Sequence, residues 1–408
     1  MAKKSASSNG GKSIFDIVNG FDDSAEILGE SKTSVITDYI DTGSYILNAC
    51  VTGSLFKGVP AGRCTVLAGD PGTGKTFLAI SVCRNAQKKG YTPIYLDSEA
   101  AIDLEQVSRL GVDPNNFIIK PVTTVSETST FIARTCKSIL DMPENERPKV
   151  IFVLDSLGNL TSDKELNDTI DGNDKRDMTR AQNIKALFRT NMTALGKIHA
   201  PFIVNAHVYS DQGFIPKKVV AGGGGINFGS SVTLMLSTAK LDDKQSDKIA
   251  ANKVGEFTKT GVIVTAKPEK SRFTIPQKVK FQIPFFKAPN PYVGLEAYIT
   301  WENSGIMRGK LVSEKDYQKM SEHEQSICEP MLNDKGEQCY AFPKETSKNI
   351  VVKHLGCEVP AIEMFSSKVL TEEILRNLDE TVIKPSFELP SNTGNDDIEE
   401  LLESTDGE

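Results

Sequence analysis

The residues best suited to chemistry stand in one glycine-rich segment that ends in a lysine and a threonine. The segment reads Gly69-Asp70-Pro71-Gly72-Thr73-Gly74-Lys75-Thr76 and matches the phosphate-binding pattern G-x-x-x-x-G-K-[ST]. Glycines let successive backbone N–H groups point at an anion, and the helix that follows adds its positive end. Lys75 is predicted to reach the β and γ phosphates, and the Thr76 hydroxyl to ligate magnesium. The segment therefore predicts a site for a nucleoside triphosphate and Mg²⁺.

Three polar side chains follow other apolar runs that we interpret as strands. They are Glu99 after the run 93–96, Asp155 after the run 150–154, and His207 after the run 202–205. Ligands of an open α/β sheet bind beyond the carboxyl ends of its strands, so these side chains are expected to face the phosphate segment. Glu99 is the candidate general base, Asp155 the candidate magnesium-side carboxylate, and His207 the candidate sensor of the γ phosphate. The alternatives are helix capping by the Asp97–Glu99 turn, a mere strand terminus at Asp155, and a structural role for His207.

A glycine-rich loop follows the candidate sensor histidine directly and spans residues 208–225. Four consecutive glycines do not hold a conformation unaided, so we expect the loop to be mobile until a ligand orders it. Lysines suit phosphates and an aromatic ring suits base stacking. We therefore predict that the loop binds single-stranded DNA through Phe214, Lys217, Lys218, Gly222 and Gly223.

Short β-type runs alternate with helical periods from about residue 63 to residue 286. The runs are 64–68, 93–96, 117–119, 150–154, 202–205, 232–236, 262–264 and 279–283, and the helical periods are 76–89, 104–110, 126–141 and 177–197. This alternation is typical of βαβ crossovers. The predicted fold class is α/β, a P-loop core with a mostly parallel central sheet flanked by helices.

The chain is predicted to have a core, a smaller second domain and two tails. The regions are a disordered N-terminus 1–13, an N-terminal oligomerisation segment 14–59, an ATPase core with DNA-binding loops 60–290, a C-terminal domain 291–384 and a disordered acidic tail 385–408. Segment 14–59 has too few apolar residues for its own core, so it is expected to pack on the main domain or on a neighbouring subunit. The acidic tail is either a solvated terminus or a competitor of polyanions for basic surface.

Composition excludes several classes of protein. The chain has 408 residues, of which 39% are hydrophobic, and no apolar run approaches the about 18 residues of a membrane span. The N-terminus lacks the apolar core of a secretory signal, and seven cysteines without a C-x-x-C pair suit a reducing compartment. We therefore expect a cytoplasmic protein. The spacing of Cys328, Cys339, His354 and Cys357 is wrong for a common zinc site.

Several stretches together are similar to one known family. They are Gly69 to Thr76, Tyr95-Leu96-Asp97-Ser98-Glu99, Leu110-Gly111-Val112-Asp113-Pro114, Asp155-Ser156-Leu157-Gly158-Asn159-Leu160, Asp177-Met178-Thr179-Arg180-Ala181 and the glycine run 222–225. In this order, over about residues 55–285, they resemble the RecA family of recombinases, and most closely its phage branch, the UvsX type.

The resemblance implies both an activity and partners. It implies cooperative assembly as a helical filament on single-stranded DNA, ATP and Mg²⁺ bound between subunits, homology search, and strand exchange with duplex DNA. It also implies two protein partners, a single-strand-binding protein and a recombination mediator. A phage-encoded member would act in the host cytoplasm.

The resemblance also assigns residues. Lys75 and Thr76 match the phosphate and magnesium positions, and Glu99, Asp155 and His207 match the water-activating, Walker B and sensor positions. Lys270 and Arg272 match a basic pair that reaches the γ phosphate of a neighbouring subunit, and Asp103 falls where the family contacts adenine.

Two departures and two rival interpretations remain. Residues 157–180, which match the family's first DNA-binding loop, are net acidic, so DNA contacts there are expected to be few or to use backbone N–H groups. The apolar pair Ile27-Leu28 matches the subunit-docking strand only loosely. The rivals are a hexameric helicase on the same fold and a regulatory hexameric ATPase that does not recombine DNA.

Overall fold

The computed structural model describes residues 13–22, 25–31, 34–172, 179–211, 218–222, 224–238, 261–284 and 289–389. The predictions for residues 1–12, Phe214, Lys217, Gly223 and 390–408 lie outside this part of the chain. Its α-helices are α1 Ile14–Asn19, α2 Tyr45–Thr52, α3 Lys75–Gln87, α4 Leu104–Arg109, α5 Val125–Leu140, α6 Asp163–Ile170, α7 Arg180–Lys197, α8 Gly224–Gly229, α9 Trp301–Ser304, α10 Glu314–Tyr317, α11 Glu322–Ser326, α12 Glu372–Leu378 and α13 Lys384–Phe387.

The strands of the described residues form one large sheet, a smaller sheet and two short pairs. They are β1 Tyr39–Ile40, β2 Val59–Pro60, β3 Cys64–Gly69, β4 Thr92–Asp97, β5 Ile118–Pro121, β6 Val150–Asp155, β7 Phe202–Ala206, β8 Val208–Ser210, β9 Lys218–Val220, β10 Val232–Thr238, β11 Gly261–Ser271, β12 Val279–Pro284, β13 Ile306–Ser313, β14 Glu329–Leu332, β15 Gln338–Pro343, β16 Asn349–Val352 and β17 Cys357–Pro360.

The central sheet has, among the described strands, the order β12-β11-β10-β3-β7-β6-β4-β5. The strands from β10 to β5 run parallel, and β11 and β12 extend the other edge in antiparallel pairing. The predicted α/β class with a mostly parallel sheet is confirmed. Because parallel strands share one direction, the loops after β3, β4, β6 and β7 all emerge at the same edge.

Helices cover both faces of the sheet, as the near-continuous apolar strands require. On one face, α2 and α3 pack in a cluster with alternate strand residues such as Leu67, Val153 and Ile203. On the other, α5 and α7 pack against Val66, Leu154 and Val204. The buried residues of α5 recur every three or four positions, which places them on one stripe of the helix.

A second sheet follows the central one along the chain. Its antiparallel order is β14-β15-β13-β16-β17. Segment 372–387 returns to the main core, where Leu378 and Phe387 are fully buried. The buried Asp379 carboxylate accepts hydrogen bonds from Ser54 Oγ at 2.7 Å and Leu55 N at 2.6 Å, just after α2. The predicted start of the tail at residue 385 therefore lies inside an ordered segment.

None of the helices in the described part of the chain combines the length and the apolar composition that a membrane span requires. All seven cysteines are free. Within the described residues, Cys328, Cys339, His354 and Cys357 do not form a group able to hold a metal ion.

Candidate nucleotide-binding site

The phosphate segment forms the turn between β3 and α3. Gly72 and Gly74 have φ angles of 76° and 86°, which side chains rarely adopt. A Cβ atom at Gly74 would also lie 2.2 Å from Ile283 Cδ1. The turn therefore needs glycine at these positions, and α3 starts at once behind it with its first N–H groups at the loop.

Lys75 lies folded over the loop. Its Nζ donates hydrogen bonds to the carbonyl oxygens of Gly69 at 2.8 Å and Asp70 at 3.0 Å, and the residue is 7% exposed. Burial lowers the pKa of the Lys75 ammonium, while the charges of Asp155 and Glu99 act in the opposite direction. Since a phosphate oxygen is a stronger acceptor for a cation than a carbonyl, the ammonium is placed to exchange these contacts for a phosphate.

Asp155 at the end of β6 joins the phosphate loop to the neighbouring strand. Its Oδ2 accepts a hydrogen bond from Thr76 Oγ1 at 2.6 Å and another from the Tyr95 hydroxyl at 2.5 Å. Burial and the Asp155 charge raise the pKa of Tyr95 well above its ordinary value, so its hydroxyl stays a donor. A hydroxyl and a carboxylate side by side are the oxygen ligands that Mg²⁺ prefers, so the residues present fit this ion.

Glu99 lies beyond the end of β4 and is held by two partners. His207 Nε2 is 2.9 Å from Glu99 Oε1, and Ser156 Oγ donates to the same oxygen. Ser98 fixes Ser156 in turn, because its Oγ accepts from Ser156 N at 2.8 Å and donates to Ser156 O at 2.7 Å. The structure thus brings the candidate base and the candidate sensor into direct contact.

The pKa of Glu99 lies below its usual value. Burial acts to raise this pKa, but the hydrogen bonds from Ser156 and His207 and the charges of His207 and Lys75 outweigh burial. The side chain therefore remains a carboxylate to lower pH than a free glutamate. As a base it must be unprotonated, so activity should persist to correspondingly low pH.

Replacing Ser156 by alanine is expected to move the acid limb of the pH profile to higher pH. The substitution removes one hydrogen bond that lowers the pKa of Glu99, so the carboxylate takes up its proton earlier as pH falls. The measurement is kcat/KM for ATP against pH. The control is Ser81→Ala, which removes a buried hydroxyl of α3 that has no partner among the described residues. An unchanged acid limb in Ser156→Ala would contradict the assignment of Glu99 as base.

The turn after β6 packs against His207. Arg180, the first residue of α7, donates to the carbonyl oxygens of Leu160 at 2.6 Å and Leu157 at 3.4 Å, and to that of Gly158. Gly158 lies so close to His207 that a Cβ atom there would be 2.8 Å from His207 Cδ2. The absence of a side chain at this position lets the imidazole approach Glu99.

Replacing Gly158 by alanine is expected to displace the His207 ring and break its contact with Glu99. A misplacement of this kind lowers turnover by as much as about a hundredfold, with nucleotide affinity retained. Phosphate release and nucleotide binding should be measured together. The matched control is Gly196→Ala in α7, where the nearest atom to a new Cβ is 3.9 Å away. Equal losses in both variants would show a general packing defect instead.

The hairpin of β8 and β9 carries the described ends of the glycine-rich loop. It begins directly after His207, and Lys218 in β9 forms an ion pair with Asp70 of the phosphate loop. Gly222 lies against Leu157, since a Cβ atom at Gly222 would be 3.0 Å from Leu157 Cδ2. Of the predicted DNA-binding residues, Lys218 therefore contacts the phosphate loop and Gly222 lies against the turn after β6.

Two groups of predicted residues do not join this cluster. Lys270 pairs with Thr233, which pairs with Val66, three residues before Gly69. Its Nζ donates to the carbonyl oxygens of Asn227 and, at 2.7 Å, of Ser230. Arg272 lies just after β11, and its backbone N–H donates to the carbonyl oxygen of Ser231, just before β10. Asp103 caps α4 by accepting from Gln106 N at 3.0 Å.

Some residues of the site carried no clear signal in the sequence. Ser156 and Arg180 belong to stretches that match the family, but serine and arginine are common at strand and helix ends. The contact between Lys218 and Asp70 joins residues 148 positions apart. Only the folded structure brings such partners together.

Residues 13–280 of this chain match the model of the RecA N-terminal domain. Similar curated proteins are the recombination and repair protein of Enterobacteria phage T4, 26% identical over 262 residues, and the RecA protein of Nautilia profundicola, 28% identical over 222 residues. The RecA protein of Clostridioides difficile is 28% identical over 240 residues. The three matches cover 63%, 53% and 58% of this chain and 62%, 58% and 63% of the relatives, so the chain spans less than two thirds of each. The family model matches well over half of the sequence, and the chain belongs to the RecA family.

Proposed function

We propose that this protein is a DNA-dependent ATPase and recombinase that forms helical filaments on single-stranded DNA and catalyses homologous pairing and strand exchange. The observation that carries the proposal is the contact between Glu99 and His207, because the glycine-rich loop starts at the residue after His207. A change at the γ phosphate would therefore reach the proposed DNA-binding loop through a single side chain, that of His207. Family membership and the phosphate segment support the same conclusion.

ATP is the proposed substrate, held by the turn between β3 and α3. Lys75 would bind the β and γ phosphates, and Thr76 and Asp155 would hold magnesium. Bound there, the ion would neutralise charge that develops on the phosphate oxygens. Asp103, at the start of α4, is proposed to contact adenine.

Glu99 is proposed to orient the attacking water and accept its proton. The hydrogen bonds from Ser156 and His207 fix the carboxylate, which removes the need to order it during the reaction. His207 would exchange its contact with Glu99 for one with the γ phosphate when ATP is bound. Its motion would then pull on β8.

The proposed DNA contacts lie on the hairpin and its loop. Lys218 forms an ion pair with Asp70 of the phosphate loop, so a DNA contact of Lys218 would compete with this pair and connect DNA binding to the phosphate loop. Phe214, Lys217, Gly222 and Gly223 are proposed as further DNA contacts. Duplex DNA, a single-strand-binding protein and a recombination mediator are proposed partners of the filament.

The test is phosphate release from ATP with and without single-stranded DNA, with Lys75→Ala as the control for contaminating ATPases. We expect DNA to stimulate turnover severalfold, and electron microscopy to show helical filaments on the DNA. Closed hexamers that unwind duplex, without filaments, would identify a helicase. A rate of phosphate release that does not change when single-stranded DNA is added would favour a regulatory ATPase.

A further inference from the structure

A buried asparagine beside the proposed ATP site has no hydrogen-bond partner among the described residues. Asn205 in β7 is 0% exposed, and neither its Oδ1 nor its Nδ2 is bonded. Buried amides of native proteins are nearly always paired, because an unpaired one loses its hydrogen bonds with water. A side chain that keeps both atoms unpaired in the core therefore points to a partner that arrives with a ligand.

The strand order places Asn205 between the two strands that build the site. β7 lies between β3, which leads into the phosphate loop, and β6, which ends in Asp155. Asn205 pairs with Leu67, two residues before Gly69. On the other side the last pair is Leu154 with Val204, so Asp155 and Asn205 follow side by side on strands about 4.8 Å apart.

Asn205 and Asp155 also share one face of the sheet. Val153 and Ile203, two residues earlier in each strand, both belong to the cluster that packs with α3. Side chains two positions apart along a strand point to the same face. The amide therefore lies on the face of α3, where Thr76 bonds to Asp155.

The chemistry of an amide suits this position. Both hydrogen bonds to Asp155 end on Oδ2, so a second donor near this carboxylate has Oδ1 to bond to. Magnesium in nucleotide sites keeps several water ligands, whose hydrogens need acceptors. One side chain that donates through Nδ2 and accepts through Oδ1 meets both needs.

We propose that Asn205 is a positioning residue of the ATP site, which orients Asp155 and the water shell of magnesium when nucleotide is bound. The inference rests on the proposed function of this site as a magnesium–nucleotide site. It predicts opposite effects of one substitution. Removing the amide should stabilise the nucleotide-free protein and weaken its response to magnesium.

The test compares Asn205→Leu, which keeps the branching of the side chain, with Thr65→Val. Thr65 is the matched control because its Oγ1 is also buried and unpaired among the described residues, and it pairs with Ile203 on β7, away from Asp155. Both substitutions remove an unpaired polar group, so both should raise the thermal midpoint of the nucleotide-free protein. Only Asn205→Leu should change the response to magnesium.

The decisive readout is binding of a fluorescent, slowly hydrolysed ATP analogue as magnesium is titrated. Asn205→Leu is expected to raise the half-saturating magnesium concentration about tenfold or more, as for other residues behind a metal ligand. Thr65→Val should bind as the unmodified protein does. An unchanged magnesium requirement in Asn205→Leu overturns the inference.

Two further results separate the possible failures. If Asn205→Leu does not fold, the same titration is made with Asn205→Ala. An unchanged magnesium requirement in Asn205→Ala then overturns the inference. If the unmodified protein binds the analogue without any need for magnesium, the proposed function of the site fails together with the inference. If binding depends on magnesium equally in all variants, the proposed role of Asn205 is overturned, while the proposed function of the site stands.

Discussion

Replacing Glu99 by glutamine is expected to lower kcat for ATP by about 10²–10⁴-fold, the usual contribution of a positioned general base. Glutamine has the same shape and still accepts the hydrogen bond from Ser156, but its amide cannot take up a proton at neutral pH. Lys75 and Thr76 are unchanged, so nucleotide and DNA affinity should stay near their original values. The measurement is single-turnover hydrolysis beside equilibrium binding of ATP.

The matched control for this substitution is Glu105→Gln. Glu105 is an exposed residue of α4 that pairs with Arg109 at 3.0 Å, so its loss changes the same charge without touching the site. Normal turnover in Glu99→Gln would remove Glu99 as the base. Loss of ATP binding in Glu99→Gln would instead show that the carboxylate holds the nucleotide.

Mixing Lys270→Ala subunits with Glu99→Gln subunits is expected to restore part of the activity that each variant lacks alone. Lys270 is level with Val66 in the sheet, about 10 Å along the strand from Gly69. Its ammonium donates to the carbonyl oxygens of Asn227 and Ser230, which precede β10 at the opposite end of the strands from the phosphate loop. It cannot serve the nucleotide of its own subunit. If Lys270 and Arg272 act on ATP, they must act on the ATP of a neighbour.

Such a shared site predicts rescue, because some mixed interfaces combine an intact Glu99 with an intact Lys270. Turnover should be measured across mixing ratios in the presence of single-stranded DNA. Lys267→Ala is the control, since Lys267 is exposed on the same strand and pairs with Glu269 at 3.2 Å. Absence of rescue at every ratio would contradict a site built from two subunits.

The sequence predicts the form of the loop between β3 and α3 because local rules govern it. A glycine-rich turn needs its glycines for backbone reasons, and an apolar strand and a helix flank it, so the loop 69–76 is visible without a partner. The places of Asp155 and Glu99 after apolar runs predict that both lie near this loop, since parallel strands end at one edge of the sheet. The sequence predicts a mostly parallel sheet, but it does not predict the order of the strands.

Other features depend on contacts between distant residues. In the sequence, Asn205 is an ordinary polar residue at the end of an apolar run. Only the structure shows that its amide is buried and unpaired among the described residues, next to Asp155. β11 extends from Gly261 to Ser271, whereas the pattern of apolar residues predicts a strand only over 262–264. The second half of β11 is polar and contains a proline, so it lacks the apolar run that marks a strand. The five-stranded second sheet was likewise unpredicted, because its strands alternate buried and exposed residues over short lengths.

The buried Asp379 links segment 372–387 to the turn after α2, although Ser54 and Asp379 are 325 residues apart. In a nascent polypeptide leaving the ribosome, the core around α2 therefore stays incomplete until almost all of this sequence has been synthesised. Deleting segment 372–387 to isolate the ATPase would remove Leu378, Ile383 and Phe387 from the apolar cluster that also contains the buried residues of α2. Such a truncated product should aggregate or recruit chaperones.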